Sequence, residues 1–142
     1  MNTNVISHTQ KRQGFTLVEL VVVILVMGIV AAVAAPKMFD AAGDARINST
    51  KQSLVVVRNA IELYKSKTGD YPGEGGEADL KADLVLYIQG QFPKNQIPDA
   101  PNDGTVAVST AGTALTVGGT QDWKYDSTSG EFIINLTGYE TY

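Results

Sequence analysis

One histidine, no cysteine, fifteen acidic and eleven basic side chains decide what chemistry this 142-residue chain can perform. Without cysteine there is neither a disulfide framework nor a thiolate metal site. His8 lies in a polar N-terminal stretch, residues 1–14, which reads as a leader. Once that leader is removed, the chain holds neither His nor Cys, which excludes Ser-His-Asp and Cys-His catalysis and nearly all zinc chemistry. Carboxylate pairs and a Ser-Lys dyad stay open, but no spacing singles one out. The chain therefore reads as a non-enzyme with no catalytic residues and no cofactor site. One carboxylate stands apart. Glu19 sits inside "GFTLVELVVVILVMGIVAAVAA", residues 14–35, just behind Lys11 and Arg12.

The elements around Glu19 follow from periodicity. The apolar run from Phe15 to Ala35 matches the roughly 20 residues that span a bilayer as a helix. Pro36 cannot donate a helix hydrogen bond, which predicts a kink or a boundary there. Beyond it, Ile47, Leu54, Val57, Ile61 and Tyr64 recur at helical spacing, with Arg46, Lys51, Arg58, Glu62 and Lys65 expected on the wet face. Gly69, Pro72 and Gly73 predict an end near Thr68. A continuous helix over residues 15–68 would extend roughly 80 Å at about 1.5 Å per residue. A small C-terminal region, residues 69–142, cannot bury that length, so part of the helix must meet lipid or other copies of itself.

The C-terminal region begins irregularly. A short helix is predicted within residues 78–90, with Leu80, Leu84 and Tyr87 on one face, and a proline-rich loop over 92–104. The period then becomes two. Residues 105–109, 114–117, 122–126 and 131–136 read as strands joined by turns, and a four-stranded antiparallel meander is the simplest connection. The net charge is −4, and it becomes −6 once Lys11 and Arg12 leave with residues 1–14. That balance makes nucleic acid an unlikely primary partner, since phosphate binding is driven by Lys and Arg.

The stretch "KRQGFTLVELVVVILVMGIVAAVAAP" resembles the N-terminal signature of type IV pilins and pseudopilins. A basic leader ends in Gly14, Phe15 follows, Glu19 is fifth after the junction, and Pro36 falls where many family members place a proline. The resemblance implies an α+β, pilin-like "lollipop": a long N-terminal helix packed on a small C-terminal antiparallel sheet. It implies a cut between Gly14 and Phe15 by a prepilin peptidase, with N-methylation of Phe15. It implies that residues 15–35 first anchor the subunit in inner-membrane lipid and later pack in a helical homo-oligomeric filament, driven by a membrane platform and its ATPase. Glu19 and Pro36 become assembly residues, with the Phe15 amine as the cation for Glu19, since no Lys or Arg lies between residues 13 and 36. Some pseudopilins hold calcium in a C-terminal loop. By that resemblance Asp99, Asp103, Asp122 and Asp126 form a candidate calcium set, although their spacing lacks a compact calcium-loop pattern.

Plainer readings of the apolar run are a signal peptide cut after "AVAA", residues 32–35, or a simple single-span anchor. The run is longer than an ordinary signal core of about 7 to 15 residues, and Glu19 is misplaced for one. The function implied is a pilin of a type IV pilus-like filament at the cell surface. The alternative is a pseudopilin of a periplasmic type II secretion filament, and a further one is a monomeric membrane-anchored binding module.

Overall fold

The computed structural model describes residues 14–142; the predicted leader, with His8, Lys11 and Arg12, lies outside the described residues. The chain forms two compact units, one ending at Phe39 and one spanning Asp40–Tyr142. Helix α1, Leu17–Thr68, contributes to both.

In the first unit α1 is apolar and unburied. Leu20, Ile24, Met27 and Val30 are all more than half exposed, and none of the most apolar window is buried within the chain. No helix boundary falls at Pro36, contrary to one of the two outcomes expected there. The i→i−4 bond that Pro36 cannot make is a single loss, and the turns on either side continue the ladder.

In the second unit α1 presents the predicted stripe. Leu54, Val57 and Ile61 are at most 2% exposed, and Ile47 and Tyr64 pack partly buried against them. Thr50 shares this face, and its hydroxyl bonds back to the Arg46 carbonyl at 3.1 Å. The expected wet face is in part a flank. Lys51, Arg58 and Lys65 are half-buried, and Arg58 Nε donates to the Phe132 carbonyl at 2.9 Å. α1 stops where predicted: Gly69 takes φ 96°, a left-handed value suited to glycine, and its N–H closes on the Lys65 carbonyl at 2.8 Å.

Helix α2, Glu77–Leu84, is shorter than the helical stretch expected within 78–90. Leu80 and Leu84 are fully buried as predicted, and a further turn is held by Tyr87 and Ile88 N–H groups on the Leu84 carbonyl. Lys81 pairs with Glu77 at 2.6 Å.

Among the described residues three strands form one sheet: β1, Val106–Ser109, β2, Trp123–Asp126, and β3, Phe132–Ile134, in the order β1-β2-β3. The predicted antiparallel meander is corrected in two ways. β1 pairs with β2 in parallel, Val106 opposite Trp123, and only β2 and β3 are antiparallel, Tyr125 opposite Phe132. Residues 114–117 form no strand. A parallel pair needs a crossover of about a dozen or more residues, and residues 110–122 supply it. Leu115 and Val117 are half-buried while Ala114 and Thr116 are exposed. One-sided burial of a crossover thus mimics the period of a strand.

Polar side chains pin that crossover. Glu131 accepts the Leu115 N–H at 2.8 Å, Lys124 Nζ donates to the Thr116 carbonyl at 2.5 Å, and Asn135 bonds Gly118 through both N–H and carbonyl. Ile133, on the side of β3 opposite the main core, is 3% exposed. The core proper gathers Trp123, Tyr125 and Phe132 over α1, with the Trp123 and Phe132 rings stacked at 5.3 Å. Each such ring contributes roughly 1.5 to 3 kcal/mol by burial. Their polar ends are satisfied: Trp123 Nε1 donates to the Pro93 carbonyl at 2.9 Å and the Tyr125 hydroxyl to the Pro72 carbonyl at 3.0 Å.

Candidate assembly segment and the loop carboxylates

The residues singled out at the N-terminus fall within one and a half turns of the helix start. Gly14, Phe15 and Thr16 precede α1 in non-helical backbone, and Phe15 is 83% exposed. Thr16 is the N-cap. Its hydroxyl accepts the Glu19 N–H at 3.2 Å, and Glu19 Oε2 accepts both the Thr16 N–H and the Thr16 hydroxyl at 2.9 Å. This reciprocal arrangement is a capping box, which satisfies donors that the first turn would otherwise leave open. Its signature, T-x-x-E over residues 16–19, was legible in the sequence beside the apolar run, yet the sequence reading placed no role on Thr16.

The geometry gives Glu19 two properties. Its carboxylate is held at the positive end of α1, where a negative charge is favoured. Both Thr16 donors use Oε2, so Oε1 remains available to a cation. Around it the exposed side chains of Leu17, Leu20, Ile24 and their neighbours leave an apolar surface far larger than a soluble monomer carries. Pro36 lies in the helix interior, away from this group.

The four loop aspartates are not gathered. Among the described residues no three of His, Cys, Asp or Glu come together as a metal-binding group. Asp122 is fully buried and accepts backbone N–H groups from Asn95 at 3.2 Å, Asn102 at 2.7 Å and Gly104 at 2.6 Å. It therefore folds the proline-rich loop onto the start of β2. Asp126 does the same for the β2–β3 turn, accepting N–H groups of Gly112, Thr128 and Ser129. Burial pushes the Asp126 carboxyl up, but the N–H donors of Ser129, Gly112 and Thr128 outweigh it and hold it below the ordinary value. Asp103 is exposed and bonds only locally, its carboxyl lowered by the Thr105 hydroxyl and N–H. Asp99 sits at φ 73° on the exposed loop.

Two further buried side chains, Asn95 and Asn135, hold the loop and the crossover in place. Asn95, fully buried, accepts the Ile97 N–H at 3.0 Å and the Thr50 hydroxyl at 3.4 Å, tying the loop to α1. Asn135, the head of an N-x-T triplet, is 8% exposed and fully engaged with the crossover. Their long-range partners lie 14 to 45 residues away, out of reach of any local pattern, although the Ile97 N–H that Asn95 accepts is only two residues on.

Comparison with known proteins returns to the N-terminus. Residues 9–35 match the model of the prokaryotic N-terminal methylation motif. The chain is 33% identical over 88 residues to the type II secretion system core protein G of Escherichia coli K12, covering 61% of each chain. It is 34% identical over 76 residues to the core protein G of Pseudomonas aeruginosa, covering 51% of this chain and 54% of that one. It is 29% identical over 102 residues to the fimbrial protein EcpC of Eikenella corrodens, covering 72% of this chain and 63% of that one. The matched region thus spans little more than half to three-fifths of these relatives' own length. No solved structure matches the chain.

Proposed function

We propose that the chain, which carries the prokaryotic N-terminal methylation motif and resembles type II secretion core protein G and fimbrial proteins, is a structural subunit of a type IV pilus-like filament in the type IV pilin and pseudopilin family. The observation that carries the reading is the unburied apolar stretch of α1 that opens on a capped glutamate directly behind a Gly-Phe junction. In this reading a prepilin peptidase cuts between Gly14 and Phe15 and methylates the new amine. The stretch 15–35 holds the subunit in the bacterial inner membrane until a platform and its ATPase move it into the filament. There Glu19, with one oxygen already held by Thr16, offers the other to the Phe15 amine of its own or a neighbouring copy. Removing one partner from such a buried pair costs about 3 to 5 kcal/mol.

A second reading, a pseudopilin of a type II secretion system, is favoured by the likeness to two core protein G chains. Both readings assign the subunit a mechanical role. Asp122 and Asp126 act in both as amide clamps, and a calcium ion would have to draw those two carboxylates away from backbone partners they already hold.

Intact mass separates the possibilities. Protein from sheared surface filaments is expected to begin at methylated Phe15. Processed protein found only in membranes would favour the pseudopilin. Uncut protein beside an active peptidase would overturn both. Glu19→Leu is expected to abolish filaments while leaving membrane insertion intact, whereas a monomeric anchored module would tolerate it.

A further inference from the structure

Asp103–Gly104 is the only Asp-Gly step in the chain, and the sequence holds no Asn-Gly step. In a free peptide such a step is chemically unstable. The Gly104 nitrogen can attack Cγ of the Asp103 side chain, because glycine puts no side chain in the way. A bond forms between the nitrogen and Cγ, the amide proton and a carboxyl hydroxyl leave together as water, and a five-membered imide results. Water then opens the imide at either carbonyl. One opening restores aspartate. The other leaves isoaspartate, in which the main chain runs through Cβ and Cγ.

The fold demands both residues of this step. Gly104 is buried at φ 75°, and a Cβ there would lie 3.3 Å from Lys94 Cγ and 3.5 Å from the Phe92 and Pro93 carbonyl oxygens. Asp103 Oδ1 accepts the Thr105 N–H at 2.9 Å and the Thr105 hydroxyl at 2.6 Å, a turn that delivers the chain to β1. Asp103 itself is exposed, so water has access to its carboxyl.

The same fold opposes the attack. The Gly104 N–H is aimed at Asp122 Oδ2, 2.6 Å away, and turning its peptide plane toward Asp103 would break that bond. The attacking species is the amide nitrogen stripped of its proton, and the negative charge of Asp122 beside it disfavours a second one. The other Asp122 oxygen holds the Asn102 N–H at 2.7 Å, so the backbone is fixed on both sides of Asp103. The Thr105 donors favour Asp103 as carboxylate, whereas water leaves from the neutral acid.

We propose that Asp103–Gly104 is an isoaspartate site that Asp122 keeps closed, and that it converts when the loop comes away from Asp122. Conversion then bars the return. Isoaspartate adds one atom to the main chain ahead of Gly104, which shifts its N–H by about 1.5 Å, one bond length, and out of reach of Asp122. The step thus keeps a covalent record that a chain has been open, whether or not that chain assembles into a filament.

The test uses the full-length chain in detergent, incubated at neutral pH in water enriched in heavy oxygen. Each passage through the imide leaves one heavy oxygen at residue 103, and electron-transfer fragmentation of the tryptic peptide 95–124 separates isoaspartate from aspartate there. Folded wild type is expected to convert at least roughly tenfold more slowly than the same chain in urea, the scale of one hydrogen bond to a charged group. Asp122→Asn, shown to be folded by the emission of buried Trp123, is expected to convert severalfold faster than wild type. Asp126→Asn, which loosens the other carboxylate clamp, is expected to keep the wild-type rate. Equal rates for wild type with and without urea overturn the proposal, and that comparison stands whether or not Asp122→Asn folds. A folded Asp122→Asn at the wild-type rate also overturns it, and a slower one would make Asp122 the base that starts the reaction instead of its guard. A rise of the same size in Asp126→Asn overturns it too, since general loosening would then be the cause.

Discussion

Asp122 and Glu19 are both carboxylates that receive backbone N–H groups, and they differ in how far those donors lie along the chain. Glu19 binds Thr16, three residues away, while Asp122 binds donors 18 to 27 residues away. Glu19 was legible as an anomaly in an apolar run. Asp122 was indistinguishable from the other loop aspartates, because only the folded loop reveals its partners. Removing Asp122 strands buried donors at roughly 1 to 3 kcal/mol each before relaxation. Asp122→Ala is therefore expected to cost about 3 kcal/mol, and Asp122→Asn, which keeps one acceptor, about half that, by denaturant titration of the detergent-solubilised chain. Asp126 gives a pH signature. Its folded-state pKa lies below the usual 3.8, so its contribution is fully present above that value and is lost as pH falls through the folded one. The melting temperature of the wild type should exceed that of Asp126→Asn by a constant margin above about pH 5, with the gap closing below about pH 4. A gap that widens on acidification would contradict this sign.

At the scale of elements, helix periodicity carried over well and strand periodicity did not. The α1 stripe was read correctly from Leu54, Val57 and Ile61 because a 3.6-residue repeat has few other physical sources. The alternation in 114–117 had two possible sources, a strand or a crossover lying on a sheet, and the crossover is what forms. The parallel pairing of β1 and β2 follows from that, since a segment that covers the sheet cannot also extend its ladder. Pro36 offers a separate check. With the helix continuous through it, Pro36→Ala should leave helical content unchanged by circular dichroism. It should stabilise the helix by up to about 3 kcal/mol. Amide exchange should slow over residues 33–40. A gain of helical signal would mean that the helix is broken at Pro36.

For the whole molecule, the two units place different demands on their surroundings. The unit from Asp40 onward has a core of its own, with Trp123, Tyr125 and Phe132 closed over α1 and the loop and crossover tied down by polar clamps. A fragment of residues 40–142 is therefore expected to fold in water. Trp123, the sole tryptophan and fully buried, reports this directly: its emission should be blue-shifted at low denaturant and shift red in one cooperative step. A red emission maximum without denaturant would show that the fragment needs the apolar stretch to fold. That stretch has no burial in its own chain.

The Asp122 clamp bears on where the chain can reach its folded form. It closes the longest irregular loop with three amide hydrogen bonds in a chain that has no thiol. Tertiary closure then proceeds at the speed of chain folding, with no oxidant, isomerase or reshuffling of covalent links to wait for. A chain built this way keeps its shape in a reducing medium that would unpick a disulfide-closed loop.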